Sequence, residues 1–209
     1  MITAAASRIR ERHTWLSQLD CTAGDGDHGS TMLRTMSRLE KVFTADASAD
    51  FKDTFSEAGW SVMRADGGAS SSLLGAFFLG IGEATAAGIS SWTCDDLAAA
   101  LQAGLAAVQV QTKARPGDKT LMDALVPAVE TLTEASRMGG DVGQALTESA
   151  RAAKLGADAT KGMTARFGRA RLLGERTRGS EDPGAASIAL IFDGFAHGIS
   201  ESKGDADNA

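Results

Sequence analysis

The sequence predicts an all-α protein of about eight helices. Three observations carry that expectation. Alanine and leucine are frequent while valine and isoleucine are scarce, so helix formers outnumber strand formers. Apolar residues recur at spacings of three and four: Leu97, Leu101, Leu105 and Val108 make one stripe, and Leu121, Leu125, Val129 and Leu132 another. No stretch sustains the apolar–polar alternation of a half-buried strand.

In chain order the helices are expected at about 3–19, 30–44, 51–65, 69–87, 95–111, 118–137, 141–159 and 183–200. Short connections rich in Gly, Asp and Pro join most of them, as antiparallel neighbours require. The helix over 69–87 holds Gly75, Gly80 and Gly82 beside Phe77 and Phe78, with hardly any charge. A helix apolar nearly all round is buried on most sides, and its small residues let neighbouring backbones approach. The stretch from Thr160 to Asp182 is long, basic and punctuated by glycine, the pattern of a functional loop. One domain is expected over 1–209, with 200–209 a frayed polar tail.

With 209 residues, 43% hydrophobic and 23% charged, the chain is globular and large enough for a real core. A formal net charge of −6 argues against a general nucleic-acid binder and points to cations as partners. Cys21 and Cys94 form no disulfide framework or zinc pattern, which suits a reducing, cytoplasmic setting. The N-terminal residues do not read as a signal peptide, and the most apolar run, Leu73 to Ile81, is too short to span a membrane.

Four segments carry chemistry. The first, LDCTAGDGDHGSTM, places Asp20, Asp25 and Asp27 within eight residues, interleaved with glycines. Carboxylates this close repel unless water or a cation screens them, and a hard ion such as Mg²⁺ prefers oxygen ligands. The same spacing also fits a solvated acidic loop that caps the next helix. An EF-hand is excluded, because the twelfth position from Asp25 is Met36 rather than Glu. The embedded G-x-G-x-x-G is rejected as a dinucleotide fingerprint, since no strand precedes it. Ser30 and Thr31 can cap a helix whose free N–H groups would face phosphate. His28 can stack on a base, donate to a phosphate, or be an ordinary loop residue, while His13 and His197 read as structural or exposed.

The second segment, GGASSSLLGAFF, opens an apolar helix with small residues, which suits either a ligand at the helix start or simple flexibility. In the third, KARPGDKTLMDALVPA, Asp118 is expected to cap the next helix. GxxxxGK[ST] is not satisfied, so it is not a P-loop. The fourth, GRARLLGERTRGSEDPGAAS, carries Arg169, Arg171, Arg176 and Arg178, which can clamp phosphates or form a solvated face. Its Asp182-Pro183-Gly184 reads as a helix start with Asp at the cap and Pro at the first position.

In this order, from Leu19 to Ser187, the four segments resemble the L subunit or L domain of dihydroxyacetone kinases. The resemblance implies a single-domain antiparallel eight-helix barrel or bundle. It implies that Asp20, Asp25 and Asp27 hold Mg²⁺, as a pair of ions bridging nucleotide phosphates. Contacts to ATP or ADP would come from His28, Gly29, Ser30, Thr31, Ala69, Ser70, Thr120, Arg169, Asp182, Pro183 and Gly184. It assigns no catalytic side chain. Departures from the common family form are Gln111-Thr112-Lys113 with Arg115 before Pro116, and Ser30-Thr31 after the histidine, so a contact at Gln111 is left open. The implied activity is phosphoryl transfer to a small hydroxyketone bound covalently by a histidine of a separate K subunit. The donor would be exchanging ATP, or a resident ADP rephosphorylated by a phosphotransferase-system protein. A non-catalytic nucleotide sensor, or a kinase for another sugar such as erythrulose, is the alternative. The resemblance leaves room for a homodimer within a larger complex and implies no nucleic-acid or membrane partner.

Overall fold

The computed structural model describes residues 1–45, 49–65 and 68–207, the last six by backbone alone. Its order is α1 (Ile2–Asp20), α2 (His28–Ala45), α3 (Phe51–Met63), α4 (Gly68–Ala84), α5 (Cys94–Gln111), α6 (Met122–Arg137), α7 (Val142–Ala159) and α8 (Pro183–Asp207). Two short 3₁₀ segments, Thr160–Gly162 and Arg169–Thr177, lie between α7 and α8. No strand occurs among the described residues.

Local chemistry starts several helices. The Asp50 carboxylate accepts the Asp53 N–H at 2.8 Å before α3. Thr93 and Asp96 form a reciprocal capping box at α5. Asp141 accepts from Gly143 and Gln144 at the start of α7. Each cap satisfies N–H groups the helix leaves without partners and is worth ~1 kcal/mol.

Packing then closes the helices into a ring. Each touches its neighbours in sequence, and α8 returns against α1. Both apolar stripes face inward: Leu97, Leu101, Leu105, Val108, Leu125, Val129 and Leu132 are all buried. Ile9, Met32, Phe78, Leu146 and Phe192 meet them in one continuous core. Each fully buried side chain of this size contributes about 1.5–3 kcal/mol. The apolar α4 is gripped on both sides as expected, with Gly75 against Gly59 and Met63 of α3 and Gly80 against Ala103, Gly104 and Ala107 of α5.

Several boundaries differ from expectation. Helix α2 starts at His28 rather than residue 30, because the Asp20 carboxylate accepts the His28 N–H at 3.2 Å and begins the helix early. Helix α6 starts at Met122 rather than 118, for reasons that lie in the turn before it. The tail expected to fray at 200–209 carries helical backbone through Asp207 as the end of α8, and residues 208–209 lie outside the described residues. Gly67, which opens the second segment, also lies outside them.

Candidate metal and phosphate site

An antiparallel ring puts every odd-to-even connection at the same end. Those connections hold the four segments singled out in the sequence: 21–27, the approach to Gly68, 112–121 and 160–182. They surround a cavity of about 710 Å³. The starts of α2, α4, α6 and α8 all reach its wall, bringing backbone N–H groups that lack helical partners to one place.

The acidic loop is built tightly. The Asp20 carbonyl accepts the Gly24 N–H at 2.6 Å, and a Cβ on Gly24 would overlap the Asp20 carboxylate. Gly26 has φ +77° and lies against the Cys21 sulfur, a conformation and a space that exclude other residues. The turn gathers one carboxylate oxygen from each of Asp20, Asp25 and Asp27 to within 4.8 Å of one another. Asp20 is half-buried, while Asp25 and Asp27 are exposed. Three acids this close repel one another, and a hard cation is one way to offset that repulsion. Arg169 reaches across from the second 3₁₀ segment and pairs with Asp25.

His28 is buried at the head of α2, with Nε2 3.2 Å from the Ser187 hydroxyl of α8. Burial pushes its pKa below the usual imidazole range, against the pull of Asp20 and the Pro183 carbonyl. Thr31 lines the cavity beside it and accepts from Arg34 at 3.0 Å. Gly29 and Ser30 do not line the cavity. Gly29 marks the crossing of α1 and α2, where a Cβ would overlap the His13 carbonyl. The Ser30 hydroxyl donates to the Asp27 carbonyl at 2.8 Å instead of capping the helix.

Ala69 and Ser70 line the wall from α4. In the third segment Asp118 accepts the Arg115 N–H at 2.9 Å and so closes the preceding turn rather than capping α6. Buried Asp123 accepts the N–H groups of Gly117 and Thr120 at 2.6 and 2.7 Å, and the Thr120 hydroxyl accepts that of Met122. Thr120 faces the cavity; Gln111 does not, and Thr112 and Ala114 line that side instead.

The stretch 160–182, called here the strap, crosses the mouth. Gly174, at φ 54°, kinks its second 3₁₀ segment. Of the four arginines, only Arg169 lines the cavity; Arg171 and Arg176 are exposed, and Arg178 turns to the Gly162 carbonyl and Glu175. Asp182 caps α8 by accepting the Ala185 N–H at 2.8 Å, with Pro183 and Gly184 beside it on the wall. Burial pushes the Asp182 pKa up to about 7, and Asp123 adds to the rise, against the Ala185 and Gly184 N–H groups and Lys119. Buried Lys119, Asp123 and Glu181 are the residues sequence reasoning missed. Lys119 and Glu181 stand in polar connections and Asp123 in the first turn of α6, places where a charged side chain is ordinarily solvated, so nothing in the sequence marked them.

Comparison with known proteins agrees with this fold. The model of the DAK2 domain family matches residues 22–197. The ADP-binding subunit DhaL of a PEP-dependent dihydroxyacetone kinase of Listeria innocua is 38% identical over 187 residues, covering 88% of this chain and 87% of that one. Its Escherichia coli counterpart is 37% identical over 178 residues, covering 85% and 84%. L-erythrulose 1-kinase of Mycolicibacterium smegmatis is 39% identical over 183 residues, 85% of this chain but 31% of that protein. The crystal structure of the dihydroxyacetone kinase of C. freundii in complex with AMP-PNP and Mg²⁺ superposes with a TM-score of 0.72 at 26% identity, over 94% of this chain and 33% of that one.

Proposed function

This chain belongs to the DAK2-domain family with the L subunits of dihydroxyacetone kinases, and from that premise we propose that it is the nucleotide- and Mg²⁺-binding component of such a phosphotransferase. The observation that carries the reading is the gathering of the Asp20, Asp25 and Asp27 oxygens within 4.8 Å at a cavity walled by the starts of α2, α4, α6 and α8. Carboxylates alone would repel a polyphosphate, and helix starts alone would not discriminate a chelated one. Together they suit Mg²⁺ with a nucleoside di- or triphosphate.

In this reading Asp20, Asp25 and Asp27 hold the metal, as one or two ions. Bound there, Mg²⁺ offsets negative charge on the phosphates. The N–H groups that open α4 orient phosphate oxygens beside Ala69 and Ser70, with Thr31 of α2 and Pro183 and Gly184 of α8 bordering the same space. Thr120 borders the same space. Arg169 leaves Asp25 and turns its guanidinium to the phosphate that moves. Neutral His28 supports the head of α2 through Ser187 without adding charge. No side chain here serves as a covalent relay; the barrier falls through positioning and charge neutralisation.

The acceptor is a small hydroxyketone carried by a separate K-type subunit. The donor is ATP or, as the PEP-dependent names of the Listeria and Escherichia relatives favour, a resident ADP recharged by a phosphocarrier. The erythrulose kinase among the relatives supports a second acceptor, a four-carbon ketose. The free thiols of Cys21 and Cys94 suit a cytoplasmic setting.

Two measurements test this. Asp25→Asn should weaken Mg²⁺-dependent ADP binding in calorimetry by at least ~100-fold with an unchanged helical spectrum; retained affinity would remove the metal assignment. Mixing the chain with a K-type subunit, ATP or a charged phosphocarrier, and dihydroxyacetone should yield phosphorylated ketone. Nucleotide binding without turnover under every donor would leave a sensor instead.

A further inference from the structure

We propose that Lys119 is a positioning residue that clamps both ends of the strap onto the α5–α6 turn and thereby sets the wall that faces the phosphates. The inference rests on the nucleotide-site reading above. Lys119 is the one non-glycine residue with positive φ, at 60°, among the described residues. A left-handed backbone is disfavoured for an L-residue, and such outliers persist only where their surroundings over-determine them. Here the surroundings are visible. Gly117 takes φ +98° two residues before it, and the Asp123 carboxylate holds the N–H groups of Gly117 and Thr120 on either side.

The consequence of that backbone is the direction of the side chain. Lys119 is 5% exposed, and its ammonium donates to the Thr160 carbonyl at 2.6 Å and to the Ser180 carbonyl. Those two carbonyls lie at opposite ends of the strap, so a single charge ties both ends to one turn. Burial disfavours the charged form, while Asp182, Asp123 and Glu181 around it favour that form. Neighbouring bonds carry the clamp to the wall. The Thr160 hydroxyl accepts the Asp182 N–H at 2.9 Å, and the Asp118 carbonyl accepts the Arg166 N–H at 3.1 Å. Asp182 caps α8 and lines the cavity, and Arg169 sits farther along the same strap. Lysine suits the task because its compact ammonium can serve two carbonyls at once from a long stem.

The test compares the full chain with Lys119→Met and Lys119→Gln by amide hydrogen exchange and by Mg²⁺–ADP calorimetry, well below the melting temperature. In Lys119→Met, amides of 163–180 should exchange at least tenfold faster while those of 125–132 in α6 keep their protection, and the Kd for Mg²⁺–ADP should rise at least tenfold. Lys119→Gln can reach only one carbonyl and should fall between the two. Should the Met variant fail to fold, the Gln variant decides alone, with faster strap exchange at kept α6 protection and a raised Kd for Mg²⁺–ADP as the expected result. Unchanged strap exchange, equal acceleration in strap and α6, or unchanged Mg²⁺–ADP affinity in a folded variant would each overturn the proposal. A wild-type chain that binds no Mg²⁺–ADP defeats the nucleotide reading instead, and strap exchange still decides the clamp.

Discussion

At the scale of single residues, the site is governed by where charge can be tolerated. Asp182 shows this in a measurable way. The folded protein keeps its proton up to about pH 7, whereas the unfolded chain loses it near the ordinary carboxylate value of about 3.9. The folded state therefore binds more protons between those values, and the stability this group contributes is lost as pH rises through that window. Asparagine can still accept the Ala185 N–H as a cap. Asp182→Asn should gain on the wild type in thermal unfolding as pH rises from 4 to 7, with a plateau above. A difference in melting temperature that stays flat across pH would contradict the burial argument. The aspartate triplet was legible from spacing alone, since three acids in eight residues demand screening. Lys119 and Asp123 were not, because nothing in KARPGDKTLMD distinguishes a buried ammonium from a solvated one.

At the scale of elements, helix contacts depend on missing side chains. Pro127 has no N–H, so the Asp123 carbonyl one turn earlier loses its helical donor. That carbonyl lies against Gly156 of α7, where a Cβ would overlap it. Gly156→Ala should destabilise the protein by about 1–3 kcal/mol despite alanine's better helix propensity. For a chain of this size that lowers the melting temperature by roughly 2–12 °C. Gly162→Ala is the control: nothing lies within 4 Å of a Cβ there, and it should be near neutral. Equal effects in the two variants would refute the close-contact account. Helix existence was readable from the stripes, while the crossing points were not. Gly29 reads as part of a phosphate loop in sequence, yet its place against His13 makes it a contact between α1 and α2.

At the scale of the whole molecule, the closed ring makes the site a property of topology. Four segments separated by whole helices meet because each follows an odd helix. A ligand bound at that end contacts most of the ring and should stabilise all of it. With Mg²⁺–ADP at one hundred times its Kd, linkage predicts about 2.7 kcal/mol of added stability. Calorimetric scanning should show the wild type rising by several degrees and Asp25→Asn not moving. A shift driven by ADP equally with and without Mg²⁺ would place the nucleotide elsewhere or free of metal.

The sequence by itself determined the helical class, the inward stripes of α5 and α6, the start of α8 at Asp182-Pro183-Gly184 and the acidic triplet, because each depends on neighbours within a turn or two. Only the tertiary structure decided that α2 begins at His28, that Asp118 serves a turn while Asp123 serves the next, and that a buried lysine ties the strap. The first two are choices among donors and acceptors three to eight residues apart that spacing alone leaves open; the lysine contact joins segments 41 residues apart, which only ring closure brings within reach.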